Sequence, residues 1–154
     1  MAIMQCDLAR LPMHIIGAML IMIGCATAQT VQFSNPPTMA KPTGYTHVLE
    51  VNGPNRTIYI AGQLGYDATG KPGADFREQA TLVYQNLKAA IESVGVKLNA
   101  FLTDIRAQLP VYREVRDKFV NVAAPPASTT LEVPKLARDG ALLEVEAIAI
   151  LPPR

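Results

Sequence analysis

The feature that most constrains this chain is one apolar stripe: Phe76, Ala80, Val83, Leu87, Ile91 and Val94 recur every three or four residues, opposite Arg77, Thr81, Gln85, Lys88 and Glu92. That period is helical, Asp75 and Glu78 form a capping box before it, and Gly95 stops it. A helix with one apolar face must lay that face on another layer.

The segments around it alternate with the period of strands. His47–Val51 and Arg56–Ala61 flank Asn52-Gly53-Pro54-Asn55 and predict an antiparallel hairpin, ended by Gly62 and Gly65. Val96–Leu102 reads as a third strand, and Pro110 as the opening of a second helix with Val111, Val115 and Phe119 inward. Beyond Pro125-Pro126, strands Thr129–Val133 and Ala141–Ile150 are joined through the turn Arg138-Asp139-Gly140. The order β-β-α-β-α-β-β predicts an α+β fold: a mixed β-sheet with two helices on one face. The other face then calls for partner subunits, so an oligomer is expected.

Leu11–Gly24 is apolar, too short to span a bilayer comfortably, preceded by Arg10 and followed by Ala26-Thr27-Ala28. It predicts a signal peptide over residues 1–28, cut after Ala28, and a periplasmic or secreted protein. Met22-Ile23-Gly24-Cys25 also reads as a lipoprotein box that would leave Cys25 lipidated. The alternatives are a retained membrane anchor, or a mis-assigned start upstream of a cytoplasmic chain; His14 and Asp7 weaken the signal. Residues 29–40 read as a leader without regular structure, and 41–154 as the domain.

A formal charge of +1 with scattered basic residues lacks the electrostatic footprint of a nucleic-acid binder. Cys6 and Cys25 both precede the globular part, which leaves it no zinc spacing, disulfide pair or thiol nucleophile.

Gly44-Tyr45-Thr46-His47, Ile60-Ala61-Gly62-Gln63, Pro126-Ala127-Ser128-Thr129 and Val145-Glu146-Ala147-Ile148-Ala149 together resemble the Rid/YjgF family of reactive-intermediate (imine) deaminases. The resemblance implies a chorismate-mutase-like homotrimer with clefts between subunits, using no cofactor and no metal. Its deaminases hydrolyse 2-imino acids and their enamine tautomers to 2-keto acids and ammonia. There, an arginine directly after Pro-Ala pairs with the substrate carboxylate, and a glutamate on the last strand orients water. Glu144 matches that glutamate, while Ser128 stands at the arginine position. Tyr45 matches a cleft tyrosine and Gly62 a glycine whose backbone approaches the ligand. Tyr112 stands where the deaminases carry asparagine, and Val94-Gly95-Val96 joins helix to strand with fewer residues than usual.

A charge-assisted bond contributes roughly 1.5–3 kcal/mol, so serine in place of arginine costs about tenfold or more. The expectation is a protein that binds small imino-acid-like, keto-acid-like or other carbonyl metabolites, with weak or altered imine hydrolysis. A genuine deaminase and a non-catalytic trimer are the alternatives. Glu144 is the expected water-positioning residue; Tyr45, Gly62, Tyr112 and Ser128 are the expected ligand-binding residues.

Glu144 and Glu146, two apart on a strand, share a face, where one carboxylate can raise the pKa of the other. The plainer reading pairs them with basic residues across an interface. Ser128 has no His or Lys base at a recognisable spacing, so it reads as a hydrogen-bonding hydroxyl rather than a nucleophile. Arg106, Arg113 or Arg116 could supply a substitute cation, although a solvated helix face is the ordinary reading of all three. His47 reads as a partly exposed structural residue.

Overall fold

The computed structural model describes residues 29–90 and 96–154. Its elements run β1 (Thr30–Ser34), β2 (Val48–Asn52), β3 (Arg56–Leu64), α1 (Phe76–Ala90), β4 (Val96–Leu102), α2 (Ile105–Arg116), β5 (Ala127–Glu132) and β6 (Leu143–Leu151). The predicted signal segment and the last turn of the predicted first helix, with Ile91, Val94 and Gly95, lie outside the described residues.

Two sequence expectations are corrected at the N-terminal end. The leader is not without regular structure: Thr30–Ser34 is a strand, antiparallel to β2, with Val31 opposite Val51 and Phe33 opposite Leu49. The hairpin between β2 and β3 does not form, because β2 takes β1 as its partner and β3 takes β6. The link between them closes on itself. Gly53 has φ +84°, the Asn55 amide donates to the Gly53 carbonyl at 3.1 Å, and Thr57 Oγ1 donates to Asn55 Oδ1 at 3.2 Å. Pro54 has no N–H to give a ladder.

The four-stranded sheet has the order β3-β6-β4-β5, with β4 and β5 parallel and the other neighbours antiparallel. Both helices pack on one face, so the α+β reading holds. Ala80, Val83, Tyr84 and Leu87 of α1 and Tyr112 and Val115 of α2 meet Leu98, Ala100 and Leu102 of β4 and Leu143, Val145 and Ala147 of β6. The predicted cap of α1 forms at Asp75, whose Oδ1 accepts from the Glu78 N–H at 2.8 Å, while the Glu78 carboxylate reaches one residue further back than a capping box requires, to the Ala74 N–H at 2.7 Å.

The second helix starts five residues earlier than Pro110 suggests. Asp104 caps it, accepting from the Ala107 N–H at 3.0 Å, while Gln108 Oε1 accepts from the Asp104 N–H at 3.0 Å. Reciprocal capping fixes the start, and Pro110 sits inside the helix, where its ring leaves one helical carbonyl without its donor.

Among the described residues, the opposite sheet face is covered at one end, where Tyr66, Leu136 and Ala141 pack with Leu64, Phe101 and Val133. Further along, Tyr59 is 78% exposed and Leu131 50%. Thr46 pins the segment before β2 against β5: it bridges Ala127, its N–H donates to the Pro126 carbonyl at 3.1 Å, and its hydroxyl donates to the Pro125 carbonyl at 2.6 Å. Gly44 and Tyr45 are thereby held beside the start of β5.

Candidate functional site

Ser128 lies opposite Leu98, whose side chain is in the core, so its own side chain points to the helix-covered face. Tyr112 of α2 is fully buried on that face, its hydroxyl 2.9 Å from the Tyr84 hydroxyl. Burial pushes both phenols above their ordinary range, which keeps them neutral; for Tyr112 the neighbouring hydroxyls and Arg116 oppose that shift. Ser128 Oγ is enclosed on the same side of the sheet, and among the described residues it has no hydrogen-bond partner.

Arg116 joins this group, and here the reading of a solvated arginine face is corrected. Arg106 and Arg113 are exposed, but Arg116 is only 4% exposed. It stands one turn after Tyr112, so it shares the buried face, with Cζ 5.9 Å from the Tyr112 ring centroid. Its Nε and Nη2 donate to Asp117 Oδ1 at 2.9 and 2.6 Å. Its Nη2 also lies 2.6 Å from where a Cβ on Gly44 would be. Gly44 has φ +75°, a second reason for glycine there. The spacing Tyr112 to Arg116 was the one sequence signal for this contact; the approach of Gly44 from a distant loop left none.

Glu144 is on the other face. It lies opposite Phe101 on β4, while its neighbour Val145 points into the core. Its carboxylate rests over Gly62, where any side chain would collide with it. Gly62 is therefore a glycine because Glu144 occupies its side-chain space. Among the described residues no hydrogen bond or ion pair engages the Glu144 side chain.

Glu146, two residues on, is engaged within the chain. Its Oε1 accepts from Asn99 Nδ2 at 2.7 Å, and Lys97 on the same face donates to Thr129 Oγ1 at 3.0 Å and to Asn99 Oδ1. Burial lowers the Lys97 pKa, and the nearby Glu146 partly opposes this.

Tyr45 lies next to Gly44, its ring edge-on to His47 at 5.2 Å. Both Gly44 and Tyr45 line an open groove of about 530 Å³ together with Lys41, Val122 and Pro125. The expected site residues thus fall into two groups on two sides of one sheet: Tyr45, Tyr112 and Ser128, with Gly44 and Arg116 beside them, and Gly62 with Glu144. Among the described residues no cluster of His, Cys, Asp and Glu could hold a metal, and no helix is long and apolar enough to cross a membrane.

Residues 37–151 match the family described as endoribonuclease L-PSP. A RutC family protein from Aquifex aeolicus is 32% identical over 122 residues, covering 74% of this chain and 94% of its own. Among solved structures, the Rid-family protein YyfB from Yersinia pestis superposes with a TM-score of 0.69 at 29% identity, over 79% of this chain and 98% of its own. RidA from an Antarctic Psychrobacter superposes at 0.57 and 28% identity, over 77% and 98%.

Proposed function

The chain belongs to the Rid (YjgF/RutC) family, whose profile carries the description endoribonuclease L-PSP, and from that premise we propose that it binds small imino-acid-like, keto-acid-like or other carbonyl metabolites in clefts completed by neighbouring subunits. Imine hydrolysis is then weak or directed to a different substrate. The observation that carries this reading is Glu144, a carboxylate seated on Gly62 on the sheet face away from the helices, with no hydrogen bond or ion pair among the described residues.

In hydrolysis, Glu144 accepts a hydrogen bond from a water whose oxygen attacks the imine carbon. A C–O bond forms, the nitrogen takes a proton, and the C=N double bond becomes single. The C–N bond of that adduct then breaks, the hydroxyl proton passes to the departing ammonia through Glu144 or water, and a ketone remains. The step leaves the oxidation state of the substrate unchanged, so no redox cofactor enters it. Tyr112 and Ser128 are proposed as ligand contacts through neutral hydroxyls, and burial, which raises the Tyr112 pKa, argues against Tyr112 as a base.

Because Ser128 and Glu144 point to opposite faces, one chain does not bring them into one cleft. A homotrimer that covers Tyr59, Leu131 and Glu144 would supply the missing wall. The nuclease in the family description is not carried over, because a formal charge of +1 offers little attraction to a polyanion. A genuine imine deaminase is the second reading, favoured by the same Glu144–Gly62 pair.

Residues 1–28 are proposed to be a signal peptide removed on export, leaving Gln29 as the first residue unless Cys25 is lipidated instead. N-terminal sequencing of protein from the cell envelope fraction decides between them. For the site, the test is hydrolysis of 2-iminopropanoate by wild type and Glu144→Ala. Loss of activity in Glu144→Ala supports the role of Glu144, and equal rates would rule it out.

A further inference from the structure

Resting on the reading of Glu144 above, we propose that Gln79 is a positioning residue of that site: it fixes the strand register that seats Glu144 over Gly62. The ladder between β3 and β6 is irregular at this seat. From Ile60 to Gln63 the strand β3 advances three residues while β6 runs two, from Ala147 to Val145, so Ala61 and Gly62 together face Glu146. A bulge of this kind re-aims the side chains beside it. Two matched pairs follow before β3 ends, Gln63 with Val145 and Leu64 with Glu144. A slip of one residue there would bring Ala61 or Gln63 under Glu144, and either side chain would fill the space that the carboxylate uses.

Gln79, on α1, holds both strand ends at once. On the β6 side its Oε1 accepts from the Leu142 N–H at 2.9 Å, directly before the strand. On the β3 side Gly65, directly after the strand, lies so close to the helix that a Cβ there would stand 2.4 Å from Gln79 Cβ and 2.5 Å from its Cα. Gln79 Nε2 donates to the Gly140 carbonyl at 2.9 Å and to the Gly73 carbonyl at 3.2 Å, and the Gly73 N–H in turn donates to the Gly65 carbonyl at 3.0 Å. Gln79 is 2% exposed, and every bond of its amide ends on the loop that leaves β3 or the loop that enters β6. An apolar side chain of that length would fill the same volume; the amide adds direction, and it ties the two loops to one point on a rigid helix.

The test compares wild type with Gln79→Met, which keeps the length of the side chain and removes its three hydrogen bonds. In wild type, proton NMR should show a nuclear Overhauser contact between Gly62 Hα and the Glu144 side chain. Gln79→Met is expected to lose that contact while keeping the one between Ile60 and Ala147, and its kcat for 2-iminopropanoate to fall about tenfold or more at unchanged KM. A purely structural role would lower the melting temperature and leave contact and kcat in place. A folded Gln79→Met protein that keeps the Gly62–Glu144 contact overturns the proposal and leaves the role of Glu144 standing. A lost contact with unchanged kcat overturns hydrolysis through Glu144 instead, and where wild type does not turn this substrate over, the contact alone decides. Should Gln79→Met not fold, hydrogen exchange in wild type decides: the Leu142 and Gly73 N–H groups must open together, since one side chain holds both loops, and separate openings sink the proposal.

Discussion

Ser128 and Glu144 sit on opposite faces of the same sheet, Ser128 opposite buried Leu98 and Glu144 opposite Phe101. Strand side chains alternate, so no rotamer change brings the two into one cleft. A site that uses both must draw them from different subunits, so the proposed function requires assembly.

Gly62→Ala tests the seat of Glu144. The new methyl would meet the Glu144 carboxyl group, and that side chain can swing away more cheaply than the strand can move. The expected outcome is at least a tenfold loss of imine hydrolysis with at most about 1–3 kcal/mol of destabilisation. Both follow from initial rates and urea unfolding of the same preparation.

Tyr112→Phe removes one hydroxyl of a buried pair. Tyr84 then keeps a buried O–H without its 2.9 Å partner, which costs about 1–3 kcal/mol. Denaturant unfolding should show this loss, and the double variant with Tyr84→Phe should recover part of it, because both hydroxyls are then absent.

The pair Arg77–Glu114 ties α1 to α2 with bonds of 2.6 and 2.8 Å. The Arg77 bond holds the Glu114 carboxyl at a pKa of about 2, below its ordinary value of 4.5. A depressed folded-state pKa contributes stability that is present above about 4.5 and lost as pH falls toward 2. The melting temperatures of wild type and Arg77→Gln should therefore differ near neutral pH and converge as pH approaches 2. A gap that stayed constant over that range would contradict the pairing.

Leu131→Glu tests the uncovered face. Leu131 is half exposed on β5, and a charge there would be buried without a partner in any assembly that covers it. Size-exclusion with light scattering should show wild type as a trimer and the variant shifted to monomer. A monomeric wild type would remove the basis of the split site.

Much of the architecture was legible from local pattern. The stripe through Ala80, Val83 and Leu87 and the alternation of Leu143, Val145 and Ala147 each marked a buried face. Pairing was less legible. The turn-like Asn52-Gly53-Pro54-Asn55 suggested a local hairpin, whereas β2 found the more distant β1. Pro110 drew the helix start to itself because proline suits a first turn, although the cap at Asp104 outweighs that preference. At the site, the resemblance singled out Glu144 and Gly62 separately, and the structure sets the carboxylate of one over the other. The resemblance could not show Arg116 folded inward, since its burial depends on Gly44 arriving from sequence 72 residues away.

The most direct test of the account measures kcat/KM for 2-iminopropanoate in wild type, Ser128→Arg and Ser128→Arg/Glu144→Ala. The account expects weak wild-type activity, a gain of about tenfold in Ser128→Arg from a guanidinium added at position 128, and loss of that activity in the double variant. A double variant as active as Ser128→Arg would contradict it, because the water would then be oriented without Glu144.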